Sequence, residues 1–208
     1  MMVTLDDFGL NRSANEEIRK WTETKKVDFI SLLANSPFTS EAIQIVKSEK
    51  KRMYRLGLHF NLIEGKALCN KEEIASLVDR KGNFYPLPLF MLRLFIGLVK
   101  KEDVMKELQE QYAIFTQNEI ECVHLNSHQN IHVFHFIYSC IEDFAKNNNI
   151  KYIRQISTVK NRLKKFPIKY FLFLFLYLLS SLLFSSYTHT QTRFYETTFH
   201  PGTEYDGN

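Results

Sequence analysis

The chain has 208 residues, of which 45% are hydrophobic and 24% are charged, and its formal net charge is +4. This balance is typical of a folded globular domain and excludes an intrinsically disordered chain. Basic and aromatic residues do not interleave along one face, so we do not expect a nucleic-acid partner. The three cysteines, Cys69, Cys122 and Cys140, are widely spaced and form no CxxC pair. They exclude a disulfide framework or a cysteine zinc site, and we expect a reducing, cytoplasmic location.

The strongest apolar segments raise the question of membrane contact. Residues 1–5 are too short for the apolar core of a signal peptide, so we expect none. Residues 170–184 are strongly apolar and follow a basic stretch at 160–169. A spanning helix needs about 20 apolar residues, and the serines at 180, 181 and 185 dilute this segment. We therefore expect a buried core helix there, with membrane contact as the open alternative.

Short β-type runs alternate with helical stretches along the chain. The predicted strands are 3–5, 27–33, 54–60, 121–125, 150–154 and 194–199. The first helix is predicted to start at a capping box with Ser13 as its N-cap, and Thr39 is predicted to cap the second. Further helices are predicted at 87–99, 104–115, 133–146 and after residue 166, with an irregular polar segment at 66–86. This alternation predicts a single α/β domain over residues 1–208 with a largely parallel sheet, open or barrel-like.

Polar side chains recur where the predicted strands end. Asp6 and Asp7 follow the first strand, His59 ends the third, and His200 follows the last. Three histidines at intervals of four, His124, His128 and His132, lie in and just after the strand at 121–125. Functional groups gather at the carboxyl ends of strands in parallel α/β folds, so we expect these residues to converge.

Carboxylate and imidazole groups are ligands for Zn²⁺ and similar divalent ions. A site with three protein ligands leaves a position open for water, whose pKa the metal lowers to about 7 in favourable zinc sites. A second carboxylate can then serve as general base, and a histidine can protonate the leaving group. The pattern therefore predicts a metal-dependent hydrolase.

Each element also has a purely structural interpretation. Asp6 and Asp7 could cap a turn, His59 could be a hydrogen-bonded core histidine, and one or two of the clustered histidines could only support the fold. His200, followed by Pro and Gly, could belong to a plain turn. Their joint occurrence at strand ends favours the catalytic interpretation.

Four ordered segments resemble the YdjC-like (ChbG-like) carbohydrate deacetylase family. The matching segments are Leu5-Asp6-Asp7-Phe8-Gly9-Leu10-Asn11, Gly57 to Gly65, His124 to His132, and Glu196 to Gly202. The resemblance covers most of residues 1–160 and again 194–202.

The resemblance implies a deformed, TIM-barrel-like (β/α) barrel and a bound divalent metal, Mg²⁺ or Zn²⁺. It implies that Asp7, His59 and His128 hold the metal, that Asp6 is the base activating water, and that His200 is the acid. His132 would lie nearby in a supporting role. The implied reaction removes acetyl groups from small N-acetylated amino-sugar oligosaccharides such as chitobiose, and a homodimer is a further expectation.

The chain departs from the family pattern at several points. Asn126 stands where the family usually has Asp, and Asn130 where it usually has His. An amide at 126 keeps hydrogen bonding but loses a charge, which weakens support of the metal ligands. Residues 160–192 do not match, and the chain stops soon after His200. The alternative function is therefore a truncated, catalytically inactive or membrane-associated member that binds only sugar or metal.

Overall fold

A five-stranded parallel sheet forms the centre of the protein. The computed structural model describes residues 3–24, 27–49 and 52–154. Its strands are β1 (Thr4–Phe8), β2 (Phe29–Leu32), β3 (Arg55–Phe60), β4 (His124–Ser127) and β5 (Tyr152–Ile153). Its helices are α1 (Arg12–Thr24), α2 (Thr39–Ser48), α3 (Leu87–Phe95), α4 (Lys101–Gln117) and α5 (His135–Asn147), and His128–Val133 forms a short 3₁₀ segment before α5.

The strands lie side by side in chain order, β1-β2-β3-β4-β5, and all four pairings are parallel. Parallel neighbours require crossover connections, and helices supply them here. The predicted α/β class with a largely parallel sheet is confirmed. Consecutive order is also the order of strands in the wall of a (β/α) barrel. The closed barrel and the single domain over 1–208 involve residues beyond 154 and stay predictions.

The main hydrophobic core packs against one face of the sheet. Leu5, Ile30, Leu58, Leu125 and Ile153, one from each strand, have no exposed surface, and the pairing register sets them all on that face. The strands alternate, and their intervening residues on the other face include Ser31, Gly57, His59, His124 and Asn126. The buried polar residues of these strands need hydrogen-bond partners, because burying a polar group without one is costly.

A long excursion, residues 61–123, connects β3 to β4 and carries α3 and α4. Its first part contains no regular helix or strand, as predicted for 66–86, and is pinned by bridges between Lys66 and Asn83 and between Val78 and Phe84. In α4, Gln111 Nε2 donates to the carbonyl of Asn61 at 2.7 Å, and Glu107 accepts the backbone N–H groups of Leu68 and Cys69. The exit of β3 is therefore fastened to α4.

Two predicted helix caps are wrong. Helix α1 begins at Arg12, and Asn11 Oδ1 accepts the N–H of Ala14 at 2.8 Å, so Asn11 caps the helix and Ser13 lies inside it. Thr39 is already within α2, and its hydroxyl donates to the carbonyl of Leu33 at 2.8 Å. At the first helix Asn11 takes the capping position that was predicted for Ser13. At the second, the Thr39 hydroxyl donates to the carbonyl of Leu33 and does not cap the helix N-terminus.

Strand and helix bounds shift by a few residues from those predicted. The predicted helix 87–99 ends at Phe95, β1 continues through the two aspartates to Phe8, and β4 starts only at His124. The predicted helix after residue 166, the apolar segment 170–184, the strand 194–199 and His200 lie outside the described residues. Within residues 3–24, 27–49 and 52–154, no helix has both the length and the apolar character to cross a membrane.

Candidate metal centre

Three strands deliver polar side chains to one edge of the sheet. Asp6 and Asp7 lie near the end of β1, His59 near the end of β3, and His128 directly after β4. The pairing register sets His59 opposite Asn126 and Phe60 opposite Ser127, which brings the end of β3 next to the start of the His128 segment. Carboxyl ends of parallel strands meet at the same edge, so residues distant in sequence become neighbours here.

The backbone at Asp7 explains how two adjacent aspartates serve the same site. Adjacent residues of a regular strand point to opposite faces. Strand β1 is irregular between Leu5 and Phe8, and Asp7 has a left-handed φ of 63°. As a result Asp6 Oδ1 lies 3.9 Å from His59 Nδ1, whereas Asp7 Oδ1 lies 3.1 Å from His59 Nε2. The two carboxylates flank the two nitrogens of one imidazole ring.

Asp7, His59 and His128 form one cluster of ligand atoms. One donor atom from each lies within 4.8 Å of the others. Asp7 Oδ1 is 3.1 Å from His59 Nε2 and 2.9 Å from His128 Nδ1. Donor atoms around an ion at about 2.1 Å are separated by roughly 3.0–3.4 Å, so these two spacings fit a coordination shell. One carboxylate and two imidazoles suit several divalent ions, Zn²⁺ among them, and these side chains fit such a group.

Asp7 is the most exposed member of the cluster. The side chains of His59 and His128 are 2% and 7% exposed, whereas that of Asp7 is 15% exposed. Burial alone would raise the pKa of Asp7, but hydrogen bonds from His128 and His59 together hold it well below its ordinary value. Asp7 is therefore an anion at neutral pH, which is the state that a metal ligand requires.

Asp6 belongs to a different set of contacts. Arg154, the residue after β5, donates from both guanidinium nitrogens to the two oxygens of Asp6, each at 2.6 Å. Neither side chain is more than 1% exposed. Burial opposes ionisation of Asp6, but the charges of Arg154 and His59 outweigh it and hold the pKa of Asp6 well below its ordinary value. A bidentate pair of this kind also fixes the carboxylate in direction.

Asn126 connects this ion pair to His59. Its Nδ2 donates to Asp6 Oδ1 at 2.9 Å and to Ser31 Oγ at 2.8 Å. An ionised carboxylate only accepts, so the amide must present its nitrogen to Asp6 and its oxygen to His59. The 2.7 Å contact between Asn126 Oδ1 and His59 Nδ1 therefore assigns the proton to Nδ1. With Nδ1 protonated, Nε2, which faces Asp7, is the nitrogen of His59 that can bind a metal.

His128 lies between two carboxylates. Its Nδ1 is 2.9 Å from Asp7 Oδ1, and its Nε2 is 2.9 Å from Glu64 Oε2. Burial lowers the pKa of His128, but hydrogen bonds and charge from Asp7 and Glu64 outweigh this effect and raise it. The ring stands nearly perpendicular to that of His59, with 5.4 Å between centroids.

The other two clustered histidines lie outside the ligand set. His124 Nε2 is 2.9 Å from Ser31 Oγ, and His132 Nδ1 is 2.5 Å from Ser127 Oγ. Burial lowers the pKa of each to about 3, so both are neutral at physiological pH. His132 supports the turn after β4, where Gln129 and Asn130 have left-handed φ values of 48° and 58°.

Three residues of the site, Arg154, Ser31 and Glu64, were not predicted from the sequence. Arg154 is a lone arginine at a short strand, Ser31 is one of many serines, and Glu64 lies in a loop. Arg154 is the last residue of the predicted strand 150–154, and the rule that placed Asp7 and His59 at the edge applies equally to it. His200, the predicted acid, lies outside the described residues.

A groove of about 760 Å³ elsewhere in the described part does not compete with this centre. Glu73, Lys106, Glu110 and Phe144 are among its lining residues, and none of the cluster's ligands is. Its polar side chains do not converge on a common point with ligand spacing, whereas those of Asp7, His59 and His128 do.

The fold and the site together define a class: a parallel α/β protein with an aspartate and two histidines at the carboxyl ends of its strands. The model of one family, described as YdjC-like protein, matches residues 1–206. The chain belongs to this family, as its four motifs predicted.

Relatives with assigned names are carbohydrate deacetylases. One from Clostridium beijerinckii is 26% identical over 76% of this chain and 61% of its own length. One from Halalkalibacterium halodurans is 29% identical over 72% of this chain and 61% of its own length. One from Xenopus laevis is 28% identical over 74% of this chain and 50% of its own length. The matched part thus spans about half to three fifths of these relatives.

A solved structure shares the fold. It is that of a protein described as a cellobiose-phosphate cleavage protein from Enterococcus faecalis V583, with a TM-score of 0.67 and 22% identity. The match covers 86% of this chain and 64% of that chain. At this identity the likeness supports the α/β architecture and nothing finer.

Proposed function

We propose that the chain is a metal-dependent hydrolase that removes acetyl groups from N-acetylated amino-sugar oligosaccharides of the chitobiose type. The observation that carries the proposal is the cluster of Asp7, His59 and His128, with ligand atoms within 4.8 Å of one another. The names of the relatives, carbohydrate deacetylases, supply the substrate class. Mg²⁺ and Zn²⁺ are the proposed ions.

Each ligand residue has one role in the proposal. Asp7 contributes an anionic oxygen, and His59 contributes Nε2 in a tautomer that Asn126 fixes. His128 contributes the third donor. A divalent ion held there supplies a Lewis acid for the acetamide carbonyl and lowers the pKa of a water.

The remaining roles follow the resemblance. Asp6 accepts the proton of the attacking water, and His200 gives a proton to the leaving amine. Water adds to the acetyl carbon, the C–N bond breaks, and acetate and a free amino-sugar result. The low pKa of Asp6 makes it a weak base at neutral pH, so its contribution depends on the placement that Arg154 imposes.

The direct test is acetate release. The purified chain is stripped with a chelator, then supplied with Mg²⁺, Zn²⁺ or buffer and incubated with N,N′-diacetylchitobiose. We expect acetate only with a metal, and none with His59→Ala under the same conditions. Acetate release that is equal with and without metal would contradict metal dependence.

The second candidate is a family member that binds metal or sugar without turnover. The observation that favours it is the neutral amide of Asn126 between Asp6 and His59, at a position where the family usually has an aspartate. Stoichiometric metal binding with no acetate from any N-acetylated oligosaccharide would establish it. Cytoplasmic location, a homodimer and membrane contact through 170–184 also stay predictions.

A further inference from the structure

Glu64 is an acidic side chain at the cluster that the roles above leave unused. Its Oε2 is 2.9 Å from His128 Nε2, on the opposite side of the ring from Asp7. The side chain is 53% exposed, which on its own would suggest a mobile surface residue. The backbone around it indicates otherwise.

Two buried asparagines fix the backbone of Glu64. Asn35 Nδ2 donates to the carbonyl of Glu64 at 3.0 Å, and Asn61 Nδ2 donates to the same carbonyl at 2.8 Å. Asn61 Oδ1 also accepts the N–H of Glu64 at 3.2 Å. Asn61 is itself held by Gln111 of α4. The carboxylate of Glu64 is therefore presented to His128 from a rigid loop.

The contact determines which nitrogen of His128 is a ligand. A carboxylate only accepts, so the 2.9 Å contact makes Nε2 the protonated nitrogen. Nδ1 faces the carboxylate of Asp7 in the same way, so without a metal it also donates a hydrogen bond. An ion that binds beside Asp7 would replace that Nδ1 hydrogen, whereas Glu64 keeps the hydrogen on Nε2. A carboxylate hydrogen-bonded to the far nitrogen of a histidine ligand raises its basicity and fixes its tautomer.

The two histidines would thus bind with opposite nitrogens. His59 is protonated at Nδ1 by its contact with the neutral amide of Asn126 and offers Nε2. His128 is protonated at Nε2 by its contact with the charged Glu64 and offers Nδ1. The negative charge that contacts a ligand histidine therefore lies on Glu64, beside His128, and not at position 126, beside His59.

We propose that Glu64 is the positioning residue of the metal centre: it holds His128 in the tautomer that ligates through Nδ1. The inference rests on the proposed metal site. It concerns how that site is built and does not depend on the substrate.

The decisive measurement is the tautomer of His128 in the zinc-loaded protein. Long-range ¹H–¹⁵N NMR correlations show which ring nitrogen carries hydrogen. We expect hydrogen on Nε2 of His128 and on Nδ1 of His59. Hydrogen on Nδ1 of His128, with zinc bound at Nε2, would overturn the proposal while leaving the metal site intact. Failure of zinc to bind at all would instead reject the metal site itself.

Metal affinity provides a second readout. Glu64→Gln keeps an acceptor but loses the charge, and we expect zinc affinity to fall about 10- to 100-fold, with a larger loss in Glu64→Ala. The matched control is Glu121→Gln, an exposed glutamate before the amino end of β4, which should leave affinity unchanged. Urea unfolding of the metal-free variants should match the wild type. Affinity within twofold of wild type in both Glu64 variants would overturn the proposal.

Discussion

Arg154 and Asp6 form a buried bidentate ion pair across 148 positions of sequence, with both contacts at 2.6 Å. The pair joins β5 to β1, the first and last strands of the described sheet. Through Asn126 it also fixes the tautomer of His59, so one arginine, remote in sequence, orients a ligand it does not touch.

Removing the arginine should leave Asp6 as an uncompensated buried charge. We expect Arg154→Met to lower the free energy of unfolding by about 3–5 kcal/mol, measured by urea denaturation at pH 7. The double variant Asp6→Asn/Arg154→Met should recover part of that loss, because neither partner is then charged. Equal losses in the single and double variants would show that packing, not charge, is responsible.

Asp6 and Asp7 should separate into two roles. Asp7→Asn removes the anionic ligand but suits the left-handed backbone at this position, so it should lose the metal without unfolding. Asp6→Asn should retain the metal, lose stability beside Arg154, and reduce turnover by about 10²–10⁴-fold after correction for the folded fraction. Metal content and acetate release are measured on both. Metal lost from Asp6→Asn alone would exchange the roles.

Restoring the family's usual aspartate at position 126 should be harmful in this chain. Asn126 Nδ2 donates to Asp6 Oδ1 at 2.9 Å, and an aspartate would place a second carboxylate oxygen there. Two ionised carboxylates at that distance repel, so one must be protonated. We expect Asn126→Asp to be less stable than wild type at pH 8 and to approach it at pH 5. A stability difference that is independent of pH would contradict this reasoning.

Acid should destabilise the fold through its neutral histidines. The pKa of His132 is about 3 in the folded protein, against an ordinary 6.5, so only the unfolded chain takes up the proton as the pH falls below 6.5. The contribution of neutral His132 to the free energy of unfolding is fully present above pH 6.5. It is lost as the pH falls toward 3, at up to about 1.4 kcal/mol per pH unit. His124 acts in the same direction, whereas His128, with its raised pKa, opposes it.

The variant His132→Gln isolates one of these contributions. Between pH 6.5 and pH 5, metal-free His132→Gln should lose about 2 kcal/mol less stability than the wild type, because one proton no longer distinguishes the folded and unfolded states. Contributions from the other groups cancel in this difference. Parallel stability curves for the two proteins would exclude His132 as a source of acid sensitivity.

Gly57 makes room for His124 on the neighbouring strand. A Cβ at position 57 would lie 2.2 Å from His124 Nδ1 and 2.3 Å from its carbonyl oxygen. Because backbone is involved, relaxation is costly, and Gly57→Ala should lose about 3 kcal/mol of stability. Gly97→Ala is the control: φ is +75° but nothing lies within 4 Å, so a loss of about 1 kcal/mol is expected. Similar midpoints for both in urea would contradict this explanation.

Sequence reasoning predicted the ligand cluster because periodic strands place their ends at one edge. The strand ends predicted that Asp7, His59 and His128 converge, the family resemblance singled them out as ligands, and the structure brings them together. The irregularity in β1 was not predicted: Asp7 has a left-handed φ of 63° and contacts His59 and His128, which are distant in sequence. The Asn11 cap was missed because serine and asparagine compete for such positions on nearly equal terms.

Partners of the ligands were harder to foresee than the ligands themselves. Asn126 was expected to weaken support of the metal, but its amide bridges Asp6 and His59, and nothing in the chain near 126 indicates this. Arg154 could be paired with Asp6 only once the strand order was known. Charge pairs across a sheet follow from topology, and topology is a property of the whole chain.

Hydrogen bonds from α4 hold the chain where it leaves β3. They separate the residues that position the ligands from exposed residues that can vary without affecting them. Gln111 and Glu107 hold the chain just past His59, so the loop with Glu64 keeps its shape whatever follows it. Substitutions at the exposed positions of residues 70–100 would then change the surface of this segment without moving a ligand.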